Sequence, residues 1–171
     1  WINLVSPATL PDIWHRHILD SAQLVPHLPI LPSGQPCQIL DIGSGAGFPG
    51  LVLAILGAGD IQLVESDQRK AAFLQSVIRE LELPASVINQ RIEHLPACQP
   101  DVITARALAP LPKLISLIEA QLHSRLICLF LKGVSVDDEL TNFQTYSTMV
   151  PHLYPSVTNE DGVIVKLTTP Q

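Results

Sequence analysis

The residues best suited to chemistry form a glycine-rich segment between Asp41 and Gly50, which reads Asp-Ile-Gly-Ser-Gly-Ala-Gly-Phe-Pro-Gly. It follows a short apolar run typical of a buried strand and precedes a stretch of helical character. Glycines let the backbone turn tightly and approach a ligand closely, and the start of the next helix presents free N–H groups. We therefore predict a pocket for a nucleotide-like cofactor at this turn, because open parallel sheets hold ligands beyond the carboxyl ends of their strands.

Two acidic residues bear on the identity of that cofactor. Asp41 ends the strand ahead of the glycines, where a carboxylate suits the cationic amino-acid end of S-adenosylmethionine and would repel a pyrophosphate. Glu65 ends the next predicted strand, where an acid can accept hydrogen bonds from both ribose hydroxyls of either cofactor class. Together the two positions favour a methyl donor.

Two other interpretations of the glycine segment stay open at this point. Gly45 to Gly50 also satisfies the dinucleotide pattern G-x-G-x-x-G, which on its own is a weak signal for a nicotinamide or flavin nucleotide and hence for an oxidoreductase. A purely structural turn would need the same glycines. A P-loop is excluded, because no Gly-Lys-Ser or Gly-Lys-Thr follows them.

Arg106 and Lys132 are the candidates for contact with a substrate. Arg106 follows the fourth predicted strand and Lys132 ends the fifth, so both are expected at the rim where the cofactor would bind. Arg106 could instead pair with Asp41 or Glu65 inside the crevice, which would keep it away from a substrate.

A second polar cluster lies in the leading part of the chain. Arg16, His17 and Asp20 share one predicted helix, and His17 and Asp20 are within one turn of each other and could interact. The cluster could stabilise that helix or form a lid over the bound ligands.

The elements that must position these residues predict an α/β fold. Apolar and semi-apolar residues recur at helical spacing from Leu10 to Leu28 and indicate a leading amphipathic helix. Strand-like and helix-like segments then alternate without exception, which predicts right-handed crossovers and a parallel sheet with helices on both faces. The apolar face of the leading helix is predicted to comprise Ile13, Trp14, Ile18, Ser21, Leu24, Val25 and Leu28. The predicted strands are 37–42, 61–65, 86–90, 102–105 and 126–131, and the later helices are 49–56, 67–81, 111–122 and 136–146.

The tail of the chain breaks this alternation. Residues 148–154 and 162–168 are two strand-like runs separated by a turn, which predicts an antiparallel hairpin. We therefore predict a doubly wound, mostly parallel sheet closed by a terminal antiparallel hairpin, the Rossmann-like arrangement of class I methyltransferases that use S-adenosylmethionine.

Composition and charge restrict the remaining possibilities. The 171 residues are 47% hydrophobic and 15% charged, which suits one packed domain over residues 1–171, with a helical lead-in at 1–36 and a cofactor-binding core at 37–171. No apolar stretch reaches the length of a membrane span. The sequence starts at Trp1 without an initiator Met, so we expect a further N-terminal segment. The formal net charge of −6 means that any RNA must meet a local basic patch.

The three cysteines give no sign of a metal site or a disulfide framework. Cys37, Cys98 and Cys128 are odd in number and lack the spacing of metal ligands. We expect inert thiols in a reducing cytoplasm and no metal ion.

Motifs spread over nearly the whole chain carry one family resemblance. They are Asn3-Leu-Val5, Trp14-His-Arg-His-Ile-Leu-Asp-Ser21, Asp41 to Gly50, Glu65-Ser-Asp-Gln-Arg-Lys-Ala-Ala-Phe-Leu74, Arg91-Ile-Glu93, Ala105-Arg-Ala107 with Ala109-Pro-Leu111, and Leu131-Lys-Gly133. The sequence resembles the glucose-inhibited division protein B family, bacterial methyltransferases of guanine N7 in 16S ribosomal RNA of the small ribosomal subunit. The combination of Gly-Ala-Gly-Phe-Pro-Gly with Arg-His-x-Leu-Asp-Ser is specific to it.

The resemblance implies a cofactor, a partner and a set of site residues. S-adenosylmethionine would be the cofactor and 16S rRNA of the small subunit the partner. Separately from the resemblance, we expect a monomeric enzyme of the cytoplasm. Glu65 would hold the ribose, Ile92 and Glu93 would flank the adenine, and Arg106 or Lys132 would donate to guanine O6. The expected cofactor-binding residues are Asp41, Gly43, Ser44, Gly45, Gly47, Phe48, Glu65, Ile92, Glu93 and Arg106.

Methylation of guanine N7 agrees with the absence of an amino-methylation motif from the sequence. Guanine N7 carries an exposed lone pair, so methyl transfer needs no prior removal of a proton, and no Asn-Pro-Pro-Tyr-like motif of amino-group methyltransferases follows the fourth predicted strand, which ends Thr104-Ala-Arg106. Three rival functions stay open at this point: a small-molecule methyltransferase, a nucleotide-dependent oxidoreductase, and a non-catalytic RNA-binding module.

Overall fold

A seven-stranded sheet organises the structure, a computed structural model that describes residues 4–32, 34–134 and 136–170. Its strand order is β3-β2-β1-β4-β5-β7-β6, and β7 runs antiparallel to both of its neighbours while the first five strands are parallel. The predicted mostly parallel sheet with a terminal hairpin is therefore confirmed. The strands are β1 (Gln38–Ile42), β2 (Asp60–Val64), β3 (Ala85–Ile88), β4 (Val102–Arg106), β5 (Ile127–Lys132), β6 (Val150–Pro155) and β7 (Val163–Thr168).

Four α-helices connect these strands, and they lie close to the predicted positions. Asp67 caps the N-terminus of the second of them, because its carboxylate accepts hydrogen bonds from the backbone N–H groups of Arg69 and Lys70 at 2.8 and 3.2 Å. The helices are α1 (Gly50–Ile55), α2 (Gln68–Glu80), α3 (Leu111–Leu117) and α4 (Val136–Tyr146).

The predicted alternation fails at one connection. Between β3 and β4 the chain forms a short 3-10 helix, Ile92–His94, and otherwise irregular backbone. This segment contains Pro96 and Pro100, which disfavour an α-helix because proline lacks the N–H donor that helical hydrogen bonding needs.

The leading segment is helical, but the prediction of one regular amphipathic helix is wrong. It consists of a 3-10 helix (Pro7–Asp12), a π-helix (Trp14–Leu19), a single α-helical turn (Asp20–Ala22) and a second 3-10 helix (Val25–His27). Leu24 and Ser21 are buried as predicted, whereas Trp14 is 76% exposed. Asn3 of the first motif lies outside the described residues, as do Trp1, Ile2, Ser33, Ser135 and Gln171.

The sheet separates two hydrophobic layers. Successive strand residues point to opposite faces, so Leu40 packs with the layer that contains Leu111 and Phe143, and Ile39 packs with the layer that contains Leu53 and Leu74. Helices α3 and α4 therefore cover one face and α1 and α2 the other. This packing brings the carboxyl ends of the parallel strands, with the loops that follow them, to one edge.

Candidate active site

The glycine segment forms a tight loop at the carboxyl end of β1. Gly43 and Ser44 donate their backbone N–H groups to the carbonyl of Val64 at 2.9 and 3.2 Å, which ties the loop to β2. Gly43, Gly45 and Gly47 adopt φ angles of 65°, 56° and 93°, a region that favours glycine. A Cβ atom placed on Gly45 would meet nothing nearer than 3.8 Å. The loop therefore leaves open space next to its backbone, as a bound cofactor requires.

Glu65 lies directly beneath this loop. Its side chain accepts hydrogen bonds from the backbone N–H of Gly45 at 2.8 Å and of Asp67 at 2.7 Å, one on each carboxylate oxygen. The residue is 6% exposed, and each oxygen keeps a second lone pair that could accept from a ligand hydroxyl. Such a carboxylate fits the predicted contact with a ribose.

Asp41 is more deeply enclosed than the sequence implied. Its carboxylate is fully buried, accepts a hydrogen bond from the Thr104 hydroxyl at 2.7 Å, and has a second oxygen, Oδ2, without a hydrogen-bond partner among the described residues. Burial raises its pKa to about 6, against the opposing effect of the hydrogen bond from Thr104. A direct contact of Asp41 with the cofactor stays a prediction.

A cavity of about 230 Å³ opens beside the glycine loop at the ends of β2, β3 and β4. Gly43, Ile92 and Glu93, all predicted to contact the cofactor, line it together. Leu108 and Ala109, from the loop after β4, form another part of its wall. Sequence reasoning missed these two residues, because nothing in their apolar side chains distinguishes a cavity wall from core.

Arg106 does not pair with Asp41 or Glu65, which the sequence left open as an alternative. Its guanidinium lies 5.0 Å from the centre of the Phe48 ring, in the geometry of a cation–π contact. The same group lies 3.4 Å from Asp20 Oδ2 and donates to the Arg16 carbonyl at 3.1 Å. Burial lowers the pKa of Arg106, and the neighbouring Asp20 opposes that shift.

His17 also contacts the Phe48 ring. Its ring stacks on Phe48 with centroids 5.1 Å apart, and its Nε2 lies 2.9 Å from the Thr9 hydroxyl. Its Nδ1 is buried and has no hydrogen-bond partner in the described part of the chain. Burial and the nearby Arg106 lower its pKa. No hydrogen bond or ion pair joins His17 and Asp20 among the described residues, but the Asp20 charge acts on His17 electrostatically and opposes the lowering of its pKa.

Asp20 instead joins the leading segment to the β6–β7 turn. Its Oδ1 accepts hydrogen bonds from the Thr158 hydroxyl and from the Gln23 amide, both at 2.8 Å. The Gln23 side chain also bonds Ser156 and the backbone N–H of Val157. Gln23 and Thr158 were not predicted, and their separation along the chain leaves no local sequence signal.

Lys132 is engaged by two protein groups. Its ammonium lies 2.7 Å from the Glu139 carboxylate and donates to the Ala109 carbonyl at 2.8 Å. The side chains of Lys132 and Glu139 are 9% and 12% exposed. A contact with guanine would require Lys132 to give up this pair.

A second, larger cavity of about 780 Å³ lies at the Arg106 end of β4. Thr9, Arg16 and His17 of the leading segment form part of its lining. Arg106 and Lys132 reach it from the sheet, and the β6–β7 turn completes it. The structure thus brings the two substrate-side candidates to one cavity and the adenine-side candidates to another.

Comparison with known proteins decides the family. Residues 1–161 match the family described as GidB, rRNA small subunit methyltransferase G. A ribosomal RNA small subunit methyltransferase G from Paramagnetospirillum magneticum is 49% identical over 166 residues, which are 97% of this chain and 79% of that protein. One from Cereibacter sphaeroides is 48% identical over 171 residues, 97% of this chain and 81% of that protein. The chain belongs to this family.

Membership makes this GidB-family chain an S-adenosylmethionine-dependent methyltransferase, and the oxidoreductase alternative is excluded. Solved structures agree on the fold. A glycopeptide N-methyltransferase in complex with S-adenosylmethionine has a TM-score of 0.73 at 9% identity, covering 90% of this chain and 94% of its own. A methyltransferase from Aquifex aeolicus has a TM-score of 0.71 at 12% identity, covering 92% of each chain.

Two features are absent from the described residues: a group of metal ligands and a helix that could cross a membrane. Within residues 4–32, 34–134 and 136–170, no three His, Cys, Asp or Glu side chains are grouped to hold a metal ion. No helix in those ranges has the length and apolar character to cross a membrane. Cys37 and Cys128 are buried and Cys98 is exposed, and burial raises the pKa of the Cys37 thiol to about 11.

Proposed function

We propose that this GidB-family protein methylates N7 of a guanine in 16S rRNA of the small ribosomal subunit. The observation that carries the proposal is a pair of cavities, one beside the glycine loop and one at the ends of β4 and β5. One is lined by Gly43, Ile92 and Glu93, and the other by Arg106 and His17. Family membership supplies the class of substrate, and the resemblance supplies the atom.

The smaller cavity would hold the adenine, and the glycine loop with Glu65 the ribose. Ile92 is buried and offers an apolar surface, whereas Glu93 is exposed at the cavity and could accept from the adenine amino group. Glu65 is already fixed by two backbone N–H groups, so its orientation costs little entropy when a ribose binds.

The larger cavity would hold the guanine. S-adenosylmethionine supplies the activated methyl group, and N7 supplies a lone pair, so the protein need not remove a proton from the base. The side chains would act by orientation, an effect that can contribute several kcal/mol. Arg106 would donate to guanine O6, because guanidinium groups suit the O6 and N7 edge of that base.

RNA must approach an acidic protein, and Arg16 offers a local attraction. Its side chain is exposed, lines the larger cavity and has no ion pair among the described residues. Arg106 and Lys132 are neutralised by Asp20 and Glu139. Arg16 would therefore contact a phosphate near the target base. We further propose that residues 1–171 act as a single methyltransferase domain, with 1–36 as its lead-in, in a monomeric enzyme of the cytoplasm.

Transfer of labelled methyl groups tests the proposal. Small subunits and naked 16S rRNA, both from cells that lack this protein, are incubated with labelled S-adenosylmethionine and the enzyme. Label at one guanine, with strand scission specific for 7-methylguanine, is the expected result. Incorporation at a different atom would overturn the N7 assignment, and the absence of label despite cofactor binding would overturn the rRNA assignment.

Two variants divide the site into its halves. Glu65→Gln keeps the size of the side chain but removes the charge, and is expected to weaken cofactor binding in calorimetry while RNA binding is retained. Arg16→Gln is expected to weaken RNA binding and to reduce its dependence on salt concentration, because one phosphate contact is lost. Cofactor binding by Arg16→Gln should equal that of the wild type.

A further inference from the structure

The loop between β4 and α3, residues 107–110, forms one wall of the smaller cavity through Leu108 and Ala109. Leu108 packs so closely on the glycine loop that a Cβ on Gly43 would lie 2.6 Å from its Cδ1. Ala107 has a φ of 51°, which is uncommon for a residue other than glycine. A backbone in such a conformation persists only when its surroundings hold it there.

Lys132 and Glu139 hold the C-terminal end of this loop. The Lys132 ammonium donates to the Ala109 carbonyl at 2.8 Å, and Glu139 Oε2 accepts from the Leu111 backbone N–H at 2.8 Å. The two side chains pair with each other at 2.7 Å. Pro110, between the two bonded residues, has no N–H of its own. The ion pair is therefore hydrogen-bonded to the backbone directly on either side of Pro110.

Shielding from water strengthens the hydrogen bonds that Lys132 and Glu139 make to the loop. Both side chains are largely shielded from water, and charged donors and acceptors make stronger hydrogen bonds than neutral ones. The pair also bridges the sheet and α4, because Lys132 ends β5 and Glu139 lies within α4. The loop is thus fixed to two elements that do not otherwise line the smaller cavity.

We propose that Lys132 is a positioning residue for the cofactor rather than a contact for the guanine. It holds the Ala109 carbonyl so that Leu108 packs against Gly43 and, together with Ala109, shapes the space for the adenine. This inference rests on the proposed assignment of the smaller cavity to the adenosine part of the cofactor. It predicts that loss of the ammonium weakens cofactor binding and leaves RNA binding intact.

Calorimetry with S-adenosylhomocysteine, the demethylated cofactor, tests the inference without catalysis. Lys132→Met is expected to raise the dissociation constant about tenfold, the equivalent of one lost hydrogen bond to a charged group. Lys132→Gln retains an N–H donor and is expected to recover part of the affinity. Binding of a 16S rRNA fragment should change less than about twofold, within the energy of a neutral surface substitution.

A matched variant controls for general destabilisation. Lys166 also donates to a backbone carbonyl, that of His27 at 3.0 Å, but lines neither cavity. Lys166→Met should leave S-adenosylhomocysteine binding unchanged. Amide hydrogen exchange of Leu108, Ala109 and Leu111 should accelerate in Lys132→Met and stay as in the wild type in Lys166→Met. If Lys132→Met folds poorly, hydrogen exchange of Lys132→Gln still reports on the loop.

The outcomes separate this inference from the proposed function. Unchanged S-adenosylhomocysteine affinity in Lys132→Met, with weaker RNA binding, would overturn the positioning role and restore a substrate contact. Wild-type protein that binds the cofactor but transfers no methyl group to rRNA would overturn the proposed function alone. A cofactor defect of equal size in Lys166→Met would also overturn the inference, since it would show a global effect.

Discussion

Arg106 Nη1 lies 3.4 Å from Asp20 Oδ2, although the two residues are 86 positions apart in the chain. Asp20 belongs to the leading segment and Arg106 ends β4, so the pair ties the lead-in to the rim of the sheet. Phe48 of the glycine loop joins the same contact, because it packs on both the Arg106 guanidinium and the His17 ring. The lead-in thus takes part in the site through specific polar contacts and not only by apolar packing.

Removal of the Asp20 charge should destabilise this connection. The side chains of Arg106 and Asp20 are 18% and 17% exposed. Asp20→Asn therefore leaves the Arg106 charge partly buried and with weaker partners. We expect a loss of about 2 kcal/mol in the free energy of unfolding. Urea unfolding monitored by Trp fluorescence measures it.

A double-mutant cycle shows whether the loss belongs to the pair. Arg106→Met removes the guanidinium and retains an unbranched side chain over Phe48. The coupling free energy between Asp20→Asn and Arg106→Met is expected to be about 1 to 2 kcal/mol. Strictly additive effects would show that Asp20 stabilises the fold through Gln23 and Thr158 alone.

The sequence predicted the sheet better than the lead-in for a physical reason. Buried parallel strands are short continuous apolar runs, and their bounds follow from burial on both faces. The lead-in has apolar residues at helical spacing, but Pro11 and Pro26 cannot donate the hydrogen bonds of a regular α-helix. Spacing alone also placed Trp14 on the buried face, although the backbone changes to a π-helix there and leaves it 76% exposed.

The pH dependence of stability should carry a signature of Asp41. Its pKa is raised by burial to about 6, whereas an unfolded Asp titrates near pH 4. Below about pH 4 both states are protonated and the group has no effect. As pH rises to about 6 the unfolded state ionises first, so the folded state progressively loses about 3 kcal/mol.

Asp41→Asn removes this effect and can still accept from Thr104. The difference in free energy of unfolding between Asp41→Asn and wild type should therefore move in favour of the variant as pH rises from about 4 to about 7. Urea midpoints of both proteins at each pH measure it, and other titrating groups cancel in the comparison. A difference independent of pH would contradict a raised pKa.

Thr9 should fix which ring nitrogen of neutral His17 carries the proton. The Thr9 hydroxyl donates to the Ser6 carbonyl at 2.8 Å, so it can only accept from His17 Nε2–H. Because burial and Arg106 lower the pKa of His17, we expect a neutral ring at pH 7 with Nδ1 unprotonated. Long-range proton–nitrogen NMR correlations of the imidazole report the tautomer directly.

Thr9→Val provides the control for this assignment. It removes the acceptor at Nε2 and should allow the two neutral tautomers to mix. Because protonation is disfavoured in the folded state, His17 should also lower stability as pH falls below about 6.5, the ordinary value for histidine. A wild-type ring that carries its proton on Nδ1 would refute the argument.

Some site residues could be predicted from the sequence and others could not, because only some of them are positioned by the parallel strands. Gly43, Glu65 and Glu93 lie in the segments that follow three successive strands, and the rule that the carboxyl ends of parallel strands share one edge suffices to bring them near each other. The engagement of Lys132 by Glu139 was not predictable, because it depends on how α4 packs against the sheet. Pairing of Arg106 with Asp20 depends likewise on the path of the irregular lead-in.

Gly50 should tolerate no side chain, for reasons of space rather than backbone conformation. A Cβ there would lie 2.2 Å from Leu63 Cδ2 and 2.7 Å from Asp41 Oδ2, in the fully buried region where α1 begins. Gly50→Ala is expected to lower the free energy of unfolding by about 2 to 3 kcal/mol, because the core cannot yield without displacing the Asp41 carboxylate. Gly133→Ala is the matched control, since a Cβ on Gly133 meets nothing within 4 Å, and should change stability by less than about 0.5 kcal/mol. Chemical unfolding of both variants measures the contrast, and equal losses would mean that the start of α1 adapts more freely than its packing indicates.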